Sequence, residues 1–139
     1  MRSRGRSTTR RSRRFPLRSV RQDPARSGGI PEKIMSDSPA ILALTRRIAS
    51  GAPVFLFFSG SWCDACRAMK PLFLEAARTH AGEAEFAVAD IEEASYLAAD
   101  CGVSSLPAIV FFRDGDDMDM LAGRFSRGEL EAFISRMLP

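Results

Sequence analysis

Two cysteines, Cys63 and Cys66, stand where an unbroken apolar run gives way to a helical pattern. The run is Val54-Phe55-Leu56-Phe57-Phe58, and Trp62-Cys63-Asp64-Ala65-Cys66 follows four residues later. Apolar residues without polar alternation mark a strand covered on both faces. From Cys63 to His80 the spacing predicts a helix with Met69, Leu72, Phe73, Ala76 and Ala77 inward, kinked at Pro71. Such a strand needs neighbours beside it and helices above and below it. A cysteine pair at the turn between them suits thiol–disulfide chemistry.

The neighbours can be read on either side. Ser38 and Pro39 open a helix whose stripe is Ile41, Leu42, Leu44, Ile48 and Ala49, and Gly51 closes it. Glu85–Asp90 alternates weakly, as a second strand. Ile91–Cys101 reads as a short helix with Tyr96, Leu97 and Ala98 inward, ended by Gly102. Leu106-Pro107 leads into a third apolar run, Ala108–Phe112. Arg113-Asp114-Gly115-Asp116 is a hairpin signal, with Met118–Ala122 as the return strand. Ser126 caps a last helix, Arg127–Leu138, with Leu130, Phe133, Ile134 and Met137 inward. The order α-β-α-β-α-β-β-α gives a mixed sheet with helices on both faces.

Charge divides the chain at Met35. Residues 1–34 hold ten Arg and one Lys against Asp23 and Glu32, a balance of +9, whereas 35–139 carry a balance of −6. The net +3 therefore describes the tail and not the domain, and does not make the protein a nucleic-acid binder. The tail lacks periodic apolar residues and is expected to be disordered. It reads as a segment upstream of a true start at Met35, as a transit peptide interrupted by Pro16, Pro24 and Gly28-Gly29, or as a basic arm. Ser12-Arg13-Arg14-Phe15 resembles a twin-arginine motif, but no apolar segment follows it, so export is not expected. Residues 35–139 form the domain. Three cysteines are too few for a disulfide-stapled scaffold, and no run approaches the roughly 18 apolar residues of a membrane span.

Over residues 50–139 these features together resemble the thioredoxin family. The resemblance rests on the Trp-Cys-x-x-Cys after an apolar strand, Pro71 five residues beyond Cys66, and the Leu106-Pro107 pair 41 positions after Cys66. The Asp114-Gly115 hairpin and the Gly123…Arg127-Gly128 ending complete it. It implies a thioredoxin-like three-layer fold with four strands, or five if one precedes Met35. It also implies a cis Leu106–Pro107 bond facing the cysteines.

Cys63, at a helix N-terminus, is the expected exposed nucleophile, and Cys66, one turn on, the resolving thiol. Their cycle leaves a redox-active Cys63–Cys66 disulfide and requires no cofactor. Trp62, Leu106, Pro107 and Gly123, with Arg124, are the expected substrate surface. Asp64-Ala65 stands where the family usually has Gly-Pro. The Asp64 carboxylate is expected to oppose the Cys63 thiolate and to disfavour negatively charged partners. Phe57 and Val88 occupy the positions of the family's usual buried Asp and Lys. A dry pocket behind Cys66 is expected, with general-base help coming from water, from Asp64, or not at all.

Cys101 reads as a small buried apolar residue, or else a regulatory thiol, and His80 as a surface residue. A zinc set of Cys63, Cys66, Cys101 and His80 and a calcium loop at Asp114–Asp119 are both rejected, the latter in favour of a solvated hairpin tip. The expected activity is reduction of protein disulfides by a cytoplasmic monomer recharged by an upstream reductase. The alternative is a non-catalytic adaptor or chaperone whose cysteines sense redox state.

Overall fold

The strand Val54–Ser59 (β1) is hydrogen-bonded on both edges, and every residue from Val54 to Phe58 is fully buried. Alternate side chains leave a strand on opposite faces. Val54, Leu56 and Phe58 enter one core, and Phe55 and Phe57 the other. This is the physical meaning of the unbroken apolar run. The computed structural model describes residues 37–138; the expectations for residues 1–34 and for a strand before Met35 lie outside them.

Among the described residues the order is α1 (Pro39–Ala49), β1, α2 (Asp64–Thr79), β2 (Glu85–Asp90), α3 (Ser95–Cys101), β3 (Ala108–Arg113), β4 (Asp116–Ala122) and α4 (Arg127–Met137). The sheet order is β2-β1-β3-β4, with β1 parallel to β2 and the other pairs antiparallel. Ile41, Leu44 and Ile48 of α1 and Leu97, Ala98 and Cys101 of α3 pack on one face. Phe73 and Ala76 of α2 and Leu130, Phe133 and Ile134 of α4 pack on the other. The result is three layers, helices–sheet–helices, with the expected order of elements along the chain. No helix of the described residues is long and apolar enough to cross a membrane.

The local signals behave as their chemistry dictates. The Ser38 hydroxyl accepts from the Ile41 N–H, with Pro39 in the first turn of α1. Ser126 and Glu129 form a reciprocal capping box on α4. Asp114 and Gly115 adopt φ of 57° and 84°, the left-handed pair that a two-residue hairpin turn requires. The helix α2 runs as one element across Pro71.

Three expectations are corrected. The third helix begins at Ser95 and not Ile91, because Asp90 Oδ1 accepts from the Glu92 N–H at 2.8 Å and holds 90–94 as a turn. The return strand begins at Asp116, and Met118 is a bulge between the Phe111–Asp119 and Phe112–Asp117 pairs. The hairpin acids are not all solvated: Asp117 and Asp119 are buried, and the guanidinium of Arg136 approaches Asp119 at 3.8 Å.

Helix α3 has no cap of its own, since Ala94 stands at its N-cap. Asp37, 3 % exposed, caps it from outside by accepting from the N–H groups of Tyr96 at 3.0 Å and Leu97 at 3.2 Å. This couples the segment before α1 to α3. Asp37→Ala leaves the buried Leu97 and part-buried Tyr96 donors without this acceptor, and a loss of about 2 kcal/mol is expected in urea unfolding. A loss below about 0.5 kcal/mol would show the cap to be idle.

His80, expected at the surface near a helix end, is part-exposed there and is held by two carboxylates. Its side chain is 17 % exposed, and its ring nitrogens lie 2.9 Å from Glu83 Oε1 and 2.9 Å from Glu131 Oε1. Hydrogen bonds to Glu131 and then Glu83 raise its pKa above the ordinary histidine value. A raised folded pKa stabilises the fold fully below the unfolded pKa of about 6.5 and ceases to do so as pH rises through the folded value. Urea midpoints of wild type and His80→Gln should therefore differ most below the ordinary histidine pKa of about 6.5 and converge as pH rises through the raised folded value. A pH-independent difference would rule out this linkage.

Candidate functional site

Cys63 is the N-cap of α2, and its Sγ accepts from the Cys66 N–H at 3.1 Å. The Cys63 N–H donates to the Gly60 carbonyl at 3.1 Å, which closes the turn from β1 into the helix. The first N–H groups of a helix lack internal acceptors and carry the positive end of its dipole. A sulfur capping them is stabilised as an anion once the pair is reduced. Cys63 and Cys66 form a disulfide with their Cα atoms 5.2 Å apart. Cys63 is 7 % exposed and Cys66 3 %. The nucleophile is thus less open than expected, because in the oxidised pair it belongs to the Phe57–Phe73–Ile109 cluster, against which Leu106 packs.

Of the residues expected to face substrate, Pro107 and Gly123 are brought together, and Trp62 and Leu106 flank Gly60. The Leu106–Pro107 peptide is cis. The Gly123 N–H donates to the Pro107 carbonyl at 2.8 Å, which joins the end of β4 to the loop before β3. Trp62 is 66 % exposed. Gly60, which the sequence reading missed, lies between Trp62 and Leu106. A Cβ placed there would stand 3.0 Å from the Trp62 ring and 3.3 Å from the Leu106 side chain. A side chain there would require the indole or the Leu106 side chain to give way by a few tenths of an ångström. The glycine's position two residues before Trp62 was the available signal.

Asp64 points away from the buried sulfur. Its side chain is 85 % exposed and ion-paired with Arg67, one turn along. That pairing offsets the opposition to a Cys63 thiolate that a lone carboxylate would exert. Ala65 is half-buried against the cluster below the cysteines.

Behind the pair the wall is apolar, as expected. Phe57 is fully buried, with its ring centroid 5.2 Å from that of Phe73. Val88 is its register partner on β2. The dry surrounding expected for Cys66 is corrected on its other flank. There a pocket of about 190 Å³ is lined by Ser59, Gly60, Ser61, Cys66, Arg67, Lys70 and Asp90. Ser59 and Asp90 are register partners at the carboxyl ends of parallel strands β1 and β2. The apolar pattern ends at both, so their side chains meet water and the helix end instead of a core.

Cys101 is buried in the core on the opposite face of the sheet, among Ile48, Leu56 and Val110. His80 lies at the far end of α2. Neither can join Cys63 and Cys66 around one metal ion.

The thioredoxin family model matches residues 43–136. A TPR repeat-containing thioredoxin of Arabidopsis thaliana is 36 % identical over 83 residues, which are 60 % of this chain and 21 % of that protein. The chain thus spans about a fifth of the length of that relative. The thioredoxin of Alicyclobacillus acidocaldarius subsp. acidocaldarius is 30 % identical over 91 residues, covering 66 % of this chain and 87 % of its own. Among solved structures, oxidised mitochondrial thioredoxin 3 from Saccharomyces cerevisiae superposes with a TM-score of 0.62 at 22 % identity. That superposition covers 69 % of this chain and 89 % of the yeast chain, and it speaks for the fold.

Proposed function

This chain belongs to the thioredoxin family, and from that premise we propose that it is a thiol–disulfide oxidoreductase that reduces protein disulfides through Cys63 and Cys66. The observation that carries the proposal is the Cys63 sulfur capping α2 while bonded to Cys66. In the reduced protein the Cys63 thiolate attacks one sulfur of a substrate disulfide. A mixed disulfide forms and the other substrate sulfur leaves as a thiolate. Cys66 then attacks Cys63, the substrate departs as its second thiol, and two electrons have passed from the pair to the substrate.

Trp62, Leu106, Pro107 and Gly123 form the surface on which an extended substrate segment is read. The backbone beside Pro107 is suited to strand-like pairing, and glycine at 123 leaves the rim open. The redox group is the cysteine pair itself, so no cofactor is proposed, and an upstream reductase restores the dithiol. We place this monomer in the cytoplasm, where a reducing poise keeps the pair in its donating form.

The test is reduction of insulin with dithiothreitol as electron source. Wild type should accelerate precipitation of the released chain, and Cys63→Ser should match dithiothreitol alone. Equal rates for the two proteins would leave the adaptor reading, in which the same surface holds a partner without turnover.

A further inference from the structure

Resolution requires Cys66 to lose a proton in a site only 3 % exposed. The apolar wall of Phe57, Phe73 and Val88 offers no acceptor, and Asp64 faces solvent with Arg67. The pocket on the other flank touches Cys66 and has Asp90 as its one carboxylate among the described residues. We propose that Asp90 accepts, through this pocket, the proton that Cys66 releases when it attacks the mixed disulfide at Cys63. The inference rests on the oxidoreductase reading and assigns a proton acceptor within that same site.

The geometry supports each part of the transfer. At about 190 Å³ the pocket has room for more than one water, each occupying about 30 Å³ in the liquid. Ser59 and Ser61 line it with hydroxyls that can both donate and accept. The Glu92 N–H engages Asp90 Oδ1 at 2.8 Å, which fixes the carboxylate at the end of β2. Arg67 and Lys70 on the same rim favour a negative sulfur. In the step itself the Cys66 S–H bond breaks, and its proton passes through water to Asp90. The freed electron pair forms the Cys66–Cys63 bond, and the Cys63–substrate bond breaks to release the substrate thiolate.

The test uses reduced full-length protein in a Cys101→Ala background, mixed with equimolar 5,5′-dithiobis(2-nitrobenzoate). The first thionitrobenzoate released reports attack by Cys63, and the second reports resolution by Cys66. Asp90→Asn keeps an oxygen for the Glu92 N–H and removes the base. It should leave the first release within twofold and slow the second by about tenfold or more at neutral pH. That deficit should close as rising pH supplies hydroxide, and added imidazole should restore the variant while leaving wild type unchanged. A second release within twofold of wild type at every pH would overturn the inference. So would imidazole acceleration of wild type itself, a measurement that stands even if the variant does not fold. Absence of the first release in wild type would instead remove the oxidoreductase reading on which the inference rests.

Discussion

Cys63→Ser should abolish protein-disulfide reduction, and Cys66→Ser should stop the same reaction one step later with the substrate still attached. The difference follows from where each sulfur sits. Cys63 caps α2, so it meets the substrate with the helix N-terminus behind it. Serine is itself a good N-cap, so the Cys63→Ser fold is retained while the nucleophile is lost. A fall of about a thousandfold or more in kcat/KM for insulin is expected, since an unactivated hydroxyl does not exchange with disulfides. In Cys66→Ser the first attack proceeds and nothing resolves it. The covalent adduct at Cys63 should accumulate, visible by mass spectrometry under non-reducing conditions and lost on adding dithiothreitol. Adducts at Cys66 in Cys63→Ser, at yields equal to those at Cys63 in Cys66→Ser, would contradict the assignment of roles.

Phe57→Asp should cost on the order of 5 kcal/mol, the largest stability change expected of any single substitution at this site. The exchange restores the carboxylate usual in the family, but this core is built around its absence. Phe57 is fully buried and its ring packs against Phe73, so truncation alone removes about 3–5 kcal/mol of contacts. The new carboxyl would also lie beside Val88, its register partner, which offers no charge or hydrogen bond from its side chain. Burial opposes ionisation, so the penalty should deepen as pH rises from about 4 to 7. Val88→Lys added to Phe57→Asp should recover part of the loss, because the two positions are adjacent on parallel strands. Urea unfolding measures all three proteins. A cost below about 1 kcal/mol for Phe57→Asp would show that polar groups are accommodated behind the cysteines.

Every element of the described fold is visible in the sequence because its signal is local. Ser38-Pro39 and Ser126…Glu129 place helix starts through side-chain oxygens that reach only three residues. Asp114-Gly115 fixes the hairpin because few other pairs tolerate two left-handed residues. The unbroken run Val54–Phe58 identifies the central strand because both its faces are covered. Misplaced boundaries arose where a side chain competed with the pattern. Asp90 ties its own turn and delays α3, and a bulge at Met118 lengthens β4.

The same division runs through the site. Cys63, Cys66, Trp62 and Pro107 are close enough in sequence, or distinctive enough in kind, to be named from the chain alone. The apolar substitutes Phe57 and Val88 are recognised only through the resemblance to the family. What joins β1, β2 and the start of α2 around Cys66 has no sequence signature. Ser59 and Asp90 are 31 positions apart and meet only because β1 and β2 pair in parallel register. Asp37 reaches α3 across some 60 residues by the same kind of packing. The sequence by itself determined the elements, their order and the reacting sulfurs, since propensity, capping and covalent spacing act over a few residues. Only the tertiary structure decided which flank of Cys66 is apolar and which is open to a carboxylate, because that depends on strand register and helix placement, which are set by the core as a whole.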